Sequence, residues 1–270
     1  MPTMTNRKRI KKLAVYNLIT ALAAIGINYL SQALRFNDTS IGEMSDTYNH
    51  LFTPASYAFA IWGLIFIGLL AYGIYQVRRA FFSSECAVFI EQTGYWFVLA
   101  NALNCFWVLA FVYDLIGLSV VLMLGILVSL IKIIVNTNME RWDAPMPTIV
   151  FVWWPICLYS GWIAVAAVAN ITTFLTKIGW QGYPLSPEAW TILMILAIAL
   201  LNIFMVVNRN MREFAAVGIW ALAAIYVRHQ DTYEVIANTA LAAGTVLFLA
   251  IAWHGYKNRH ANPFIQAMNK

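Results

Sequence analysis

The chain has few charged residues and few cysteines. Only 11% of its 270 residues are Asp, Glu, Lys or Arg, against about a quarter in ordinary soluble domains. The cysteines are Cys86, Cys105 and Cys157, an odd number without the spacing of a disulfide framework or a metal site. The low charge excludes an ordinary soluble domain, and the cysteine pattern predicts no metal ligands.

Acidic residues are missing from the interiors of the long apolar segments. Glu91, Asp114, Glu188, Glu213 and Glu234 all lie at or beyond segment ends. A proton-coupled carrier or an intramembrane hydrolase normally buries an ionisable residue, because that group supplies the coupling or the chemistry. The pattern disfavours both classes, and we predict no catalytic residues.

Hydrophobic residues make up 61% of the chain and are grouped in long runs. Most runs are near the roughly 17–25 residues that a bilayer-spanning helix needs. The sequence therefore predicts an all-α, polytopic transmembrane helix bundle of about eight helices. The seventh run is short, and whether it fully spans is left open. The predicted segments are 13–33, 55–77, 93–113, 116–135, 147–171, 188–207, 213–227 and 234–255.

Basic residues collect on one side of this predicted bundle. If the N-terminus is cytoplasmic, only Arg35, Lys177 and Arg228 fall in outer segments. The positive-inside rule then predicts a multi-pass protein with both termini cytoplasmic and an even number of crossings. The net charge of +5 follows from this topology and indicates no nucleic-acid partner. A basic start before an apolar run is also the layout of a secretory signal, but this run exceeds the usual h-region of roughly 7–15 residues.

Large aromatic and amide side chains share a predicted depth. Trp62, Asn104, Trp107, Tyr159 and Trp162 all lie roughly 9–18 Å below the outer surface, counting about 1.5 Å per residue. Aromatic walls with a few polar groups are the usual lining of a small-molecule site. We therefore predict an outer-side aromatic cavity. The alternative is that these rings only fill gaps between helices.

A long outer segment from about Leu34 to Thr53 stands between the first two predicted helices. A connection of that length in a compact bundle is either functional or mobile, and its position suits a lid. His50 lies four residues before Pro54 and is a candidate ligand contact at the cavity mouth, for example as an axial haem ligand. A solvated loop histidine is the alternative.

Three segments resemble the second, third and fifth helices of the TspO family of tryptophan-rich sensory proteins, which are related to the translocator protein or peripheral benzodiazepine receptor. The resemblance covers roughly residues 13–171. Thr53-Pro54 stands where the family usually has a Pro pair, and Tyr57 aligns one position away from the family's aromatic residue. The matching positions are Pro54 and Trp62, then Asn104, Trp107 and Phe111, then Tyr159, Trp162, Ala166 and Asn170.

The resemblance implies a five-helix membrane domain, residues 1–178. Family members tend to stop there, whereas the apolar runs of this chain predict a further C-terminal three-helix transmembrane extension, residues 179–270. The resemblance also implies an outer cavity that binds a tetrapyrrole such as porphyrin or haem, or a sterol-like lipid, with no required cofactor. The candidate ligand-binding residues, with His50 added for its position alone, are Pro54, Tyr57, Trp62, Asn104, Trp107, Tyr159, Trp162, Asn170 and His50.

The favoured function is an integral membrane binding or sensory protein for such a hydrophobic planar ligand. One alternative is a facilitative transporter of a small lipophilic solute, which moves its ligand between leaflets. A third candidate is an enzyme that degrades a bound porphyrin, and a purely structural scaffold is a fourth. The expected partners are the lipid bilayer and the hydrophobic small molecule. A homodimer stays open, because the extra helices could enlarge the bundle or replace a dimer contact.

Overall fold

The computed structural model describes residues 4–48, 50–83, 87–180 and 182–258, and these ranges contain helices and no strand. A 3₁₀ turn, Ser56–Ala60, leads into α3, and a π-helical turn, Ile149–Trp153, joins α7 to α8. The helices are α1 (Met4–Ala33), α2 (Ile41–Thr47), α3 (Ile61–Phe82), α4 (Val88–Thr93), α5 (Trp96–Val112), α6 (Ile116–Asn136), α7 (Met146–Thr148), α8 (Trp154–Lys177), α9 (Pro187–Arg209), α10 (Arg212–His229) and α11 (Glu234–Lys257).

Six helical stretches within the described ranges are long and apolar enough to cross a membrane. They are Asn6–Ala33, Ser56–Phe82, Ile116–Asn136, Met146–Lys177, Pro187–Arg209 and Glu234–Lys257. This confirms the polytopic helical bundle. The first helix begins well before the predicted residue 13, so the basic N-terminal stretch is itself helical rather than a flanking loop. The helices α5 and α10 are not among the six.

The helices run in alternating directions along the bundle. We call the end that carries α2 and residues 34–60 the lid end, and the end that carries residues 137–145 the basal end. The short α10 runs from one end to the other, because Glu213 in its first turn lies beside Glu140 and Arg228 in its last turn bonds Asp46 of α2. Its 18 residues reach about 27 Å at 1.5 Å per residue.

The central helix of the bundle is α8. It contacts α3, α6 and α10, and 67% of its most apolar stretch is buried, against 22–39% in the other five candidate spans. Gly161 lets α10 approach closely, since a Cβ at this position would lie 2.8 Å from the backbone oxygen of Phe214. Small residues at such crossings allow helices in membranes to pack backbone to backbone.

The C-terminal helices share a hydrophobic core with the rest of the bundle. One buried cluster contains Trp107 of α5, Ile163 of α8, Leu222 of α10 and Leu247 of α11. The helices α9 and α11 pack on α10 and on each other. The C-terminal extension therefore packs against α8 and does not form a separate core. The division of the chain into two domains near residue 178 stays a prediction.

Candidate functional site

A cavity lies at the lid end between α3, α5, α8 and the lid. Its volume is about 40 Å³, which holds one or two water molecules. Five of the predicted residues line it, and α2 contributes Ile41 and Ser45 from above. The predicted residues in the lining are Pro54, Trp62, Trp107, Trp162 and Asn170.

The aromatic rings around this cavity come from three helices and the lid. The Trp62 ring centroid is 6.5 Å from that of Trp107 and 5.9 Å from that of Tyr159. Phe59, in the turn before α3, contacts Trp162 edge-on at 6.0 Å. The helices α3, α5 and α8 therefore bring the tryptophans to one place, as their shared depth predicted.

Asn170 cross-links α5, α6 and α8 at the wall of the cavity. Its Oδ1 accepts a hydrogen bond from Trp107 Nε1 at 2.7 Å, and its Nδ2 donates to Ser119 Oγ at 2.8 Å. All three residues are buried. Because its amide is engaged on both sides, Asn170 holds the Trp107 indole in a fixed orientation.

Three buried groups that can donate hydrogen bonds lie beside the cavity, on Trp62, Asn104 and Tyr159. The Asn104 amide interacts with the Tyr159 hydroxyl oxygen, whereas Trp62 Nε1 and the Tyr159 O–H find no acceptor among the residues that the structure describes. Asn28 Nδ2 donates to Asn104 Oδ1 at 2.7 Å, so the Asn104 amide nitrogen faces away from Asn28. A buried unsatisfied polar group costs about 1–3 kcal/mol, and a ligand with acceptor atoms would remove that cost.

Two predicted residues lie outside the lining and away from this polar set. His50 is buried, not solvated, and its Nε2 lies 3.0 Å from Thr173 Oγ1 of α8, which faces the cavity. Burial, and secondarily the charge of Arg228, lowers the pKa of His50 to about 3, so it is neutral at physiological pH. Tyr57 is exposed, and its ring packs edge-on against Trp220 of α10 at 5.4 Å.

We use the name lid for residues 34–60, of which the structure describes 34–48 and 50–60; the lid contains the short helix α2. Ser40 caps α2 by accepting from the Glu43 backbone N–H, while the Glu43 carboxylate accepts from the Ser40 backbone N–H. This capping box satisfies the N–H groups of Ser40 and Glu43 at the start of α2. Directly after α2, Tyr48 OH donates a hydrogen bond to Asp114 at 2.6 Å. This bond ties the lid to the turn between α5 and α6.

The C-terminal extension also holds the lid. Arg228 Nη1 of α10 donates to Asp46 Oδ1 at 2.8 Å, and the Ala55 backbone N–H donates to the Ala224 carbonyl at 3.0 Å. Trp220 Nε1 donates to the Ala58 carbonyl at 3.0 Å. The lid is therefore bonded on one side to the α5–α6 turn and on the other to α10.

Sequence reasoning missed several residues of the site. Asn28 was detectable as an amide inside the apolar run 13–33, on the same argument that identified Asn104. Ser119 and Thr173 gave no signal, since hydroxyl residues are common in apolar helices. Ile41 and Ser45 lie in α2, within the segment that the sequence identified only as a long loop, and their position over the cavity follows from tertiary contacts of α2 with α5 and α10.

The spans, the enclosed aromatic cavity and the bonded lid define an integral membrane helix bundle with a candidate small-molecule site. The chain matches the family model of TSPO-like proteins over residues 14–253. It therefore belongs to the TSPO-like protein family. The match continues beyond residue 171, where the resemblance read from the sequence ended, and takes in α9 to α11. No curated protein and no solved structure matches the chain significantly.

Proposed function

We propose that the protein binds a hydrophobic, planar small molecule with acceptor groups, such as a porphyrin or haem, beneath the lid. The observation that carries this proposal is the joint arrangement of the Trp62, Trp107 and Trp162 rings with the buried donors of Trp62 and Tyr159, which have no acceptor among the described residues. Flat aromatic ligands stack favourably on such rings. The carboxylates of a tetrapyrrole are acceptors that suit the donors on Trp62, Asn104 and Tyr159, and a sterol-like lipid would use its hydroxyl oxygen.

Entry of such a ligand requires the cavity to expand. Ligand sites typically measure about 300–1,000 Å³, whereas this cavity measures about 40 Å³. The helix α2 covers the cavity through Ile41 and Ser45, so the proposed binding step moves α2 outward or rotates the indole rings. The closed form then lowers the apparent affinity in proportion to the fraction of molecules that are open.

A porphyrin titration tests the proposal. Protoporphyrin added to the full-length protein in detergent is expected to quench tryptophan fluorescence with saturation and to shift the porphyrin absorption band. The Trp107→Ala, Trp162→Ala double variant is expected to lose this signal. Trp253→Phe is the matched control, because Trp253 is exposed on α11. Absence of saturation, or equal quenching in the double variant, would overturn the proposal.

Flux measurements separate a binding protein from a transporter. In proteoliposomes a sensor or storage protein shows occupancy of the site without movement of porphyrin across the bilayer. A facilitator shows flux that the double variant abolishes. We favour the binding role, because partly buried hydrogen bonds fasten the lid on both sides.

We further propose that the basal end faces the cytoplasm. The start of α1, with Arg9, contacts Glu91 near the end of α6, Arg209 in the last turn of α9 bonds the Ile134 carbonyl, and the end of α11 lies beside Arg212. Lys8 and Lys257 belong to these same helix ends. The positive-inside rule places such clusters on the cytoplasmic side. The lid and its cavity would then face the opposite compartment.

A further inference from the structure

We propose that Glu140, Cys157 and Glu213 at the basal end form a binding site for a divalent metal ion of the zinc class. One ligand atom from each residue, a carboxylate oxygen or the thiol sulfur, lies within 4.8 Å of the other two. The three residues come from separate segments: the α6–α7 loop, α8 and the first turn of α10. This site is about one bundle length from the aromatic cavity and is independent of the function proposed for it.

The sulfur is the observation that points to a metal rather than to a simple acidic cluster. Cys157 is fully buried, and its thiol makes no hydrogen bond to any residue that the structure describes. It faces two carboxylates, and the Glu140 carboxylate likewise has no hydrogen bond or ion pair within the described ranges. A buried thiol and a half-buried carboxylate that both lack a partner among the described residues are both satisfied by one coordinated cation.

The ligand set selects the class of ion. Thiolate and carboxylate ligands bind Zn²⁺ at about 2.3 Å and about 2.0–2.2 Å respectively, so the three side chains need to close in by only small rotations. Thiolate disfavours Mg²⁺ and Ca²⁺, which take oxygen ligands. With three protein ligands, a fourth position stays open for water or another group.

Neighbouring residues hold the ligands in place. The Trp154 side chain hydrogen-bonds Glu213, as partners of metal-ligating carboxylates commonly do. Asn210 Nδ2 donates to the Glu140 backbone carbonyl at 2.7 Å, which fixes the turn that carries Glu140. Arg212 is the cation near both carboxylates, and it partly offsets their charge in the metal-free protein.

A bound ion would join the C-terminal extension to α8 and to the α6–α7 loop. The residue Glu213 belongs to α10 and Cys157 to α8, so one ion would bridge the two helices where they meet near Gly161. Because binding energy at a preformed site adds to folding energy, the metal is expected to stabilise the contact between α8 and α10.

Cobalt titration tests this proposal directly. The full-length protein, with any affinity tag removed and treated with a chelator, is titrated with Co²⁺. We expect one equivalent to produce a thiolate-to-cobalt charge-transfer band in the near ultraviolet, and Zn²⁺ to displace it and raise Tm. Cys157→Ser is expected to abolish the band. Cys105→Ser is the matched control and should keep it, because Cys105 lies in α5 and is only partly buried.

Two further variants test the proposal independently, in case Cys157→Ser does not fold. Glu140→Gln changes a residue outside the long helices and is expected to weaken Co²⁺ binding while leaving porphyrin quenching unchanged. Trp154→Phe removes only the partner of Glu213 and should weaken binding by about 10–100-fold. A wild-type protein without a saturable charge-transfer band, or a band that survives in Cys157→Ser, would overturn the proposal. The cluster would then be a pair of carboxyl groups sharing a proton.

Discussion

At the scale of single residues, the site contains amide side chains that have hydrogen-bond partners and buried donors that have no acceptor among the described residues. Asn170 uses both ends of its amide to hold Trp107 and Ser119. The Asn104 oxygen accepts from Asn28, and the Asn104 amide interacts with the Tyr159 hydroxyl. Asn170 therefore acts as a structural brace for the cavity wall, while the donors of Trp62 and Tyr159 are available to a ligand.

His50 makes the closed lid sensitive to acid. Its folded-state pKa of about 3 lies below the ordinary value near 6.5, so the unfolded chain binds a proton that the native state does not. The stability from neutral His50 is fully present above pH 6.5 and is lost as the pH falls towards 3, by about 2 kcal/mol at pH 5. We predict that Tm measured from pH 7.5 to 5 falls less steeply for His50→Gln than for wild type. Equal slopes would contradict this.

At the scale of elements, the contact between α8 and α10 explains how the extension is held. A Cβ added at Gly161 would lie 2.8 Å from the carbonyl oxygen of Phe214. A Cβ added at Gly63 of α3 would meet no atom of another described element within 4 Å. We predict that Gly161→Ala lowers stability by about 1–3 kcal/mol through overpacking. Gly63→Ala is the matched control, and is expected to be neutral or to stabilise α3 by up to about 1 kcal/mol. Thermal unfolding in detergent compares the two, and similar Tm values would refute the close packing.

The link between α10 and the lid should control ligand entry. Arg228 and Asp46 are 2.8 Å apart with partly exposed side chains, and such pairs contribute about 0.2–1 kcal/mol. We predict that Arg228→Gln raises the porphyrin association rate by about 2–5-fold, because the lid opens more often. Stopped-flow quenching measures this rate. Lys132→Gln, an exposed change on α6, serves as control, and an unchanged rate in Arg228→Gln would exclude a role for α10 in closing the lid.

At the scale of the whole molecule, the sequence predicts the helical membrane bundle. It does not predict the short connecting elements or which helices pack against each other. Long apolar runs identify spanning helices because the bilayer demands length and hydrophobicity together. The π-helical turn at Ile149–Trp153 and the short α4 carry no such signal. The shared depth of Trp62, Trp107 and Trp162 was predictable from chain direction alone. The placement of Tyr57 against Trp220 was not, because it depends on where α10 packs.

The three residues of the proposed metal site were likewise not predictable from the sequence. Glu140, Cys157 and Glu213 have no recognisable spacing along the chain, since they come from segments that meet only after α8 and α10 have packed. Sequence reasoning therefore predicted no metal ligands, whereas the folded chain brings these three within 4.8 Å of one another.

The arrangement of charges predicts the orientation of the whole protein. Both described chain ends lie at the basal end, so at either terminus a cytoplasmic reporter should be active and an export-dependent reporter should be inactive. Paired fusions of a fluorescent protein, which fluoresces when it folds in the cytoplasm, and of a phosphatase, which is active when exported, measure this. Phosphatase activity at the C-terminus would place the lid in the cytoplasm and contradict the orientation.

The central claim is that a ligand enters the space between α2 and the tryptophans. Ser45 of α2 lines this space, whereas Thr47 on the same helix is exposed. The most direct test measures maleimide labelling of Ser45→Cys and Thr47→Cys, in a chain whose Cys86 and Cys105 are replaced by Ser, with and without protoporphyrin. We predict that porphyrin slows labelling of Ser45→Cys, with the same half-maximal concentration as fluorescence quenching, and leaves Thr47→Cys unaffected. Equal labelling rates at Ser45→Cys with and without porphyrin would contradict the account.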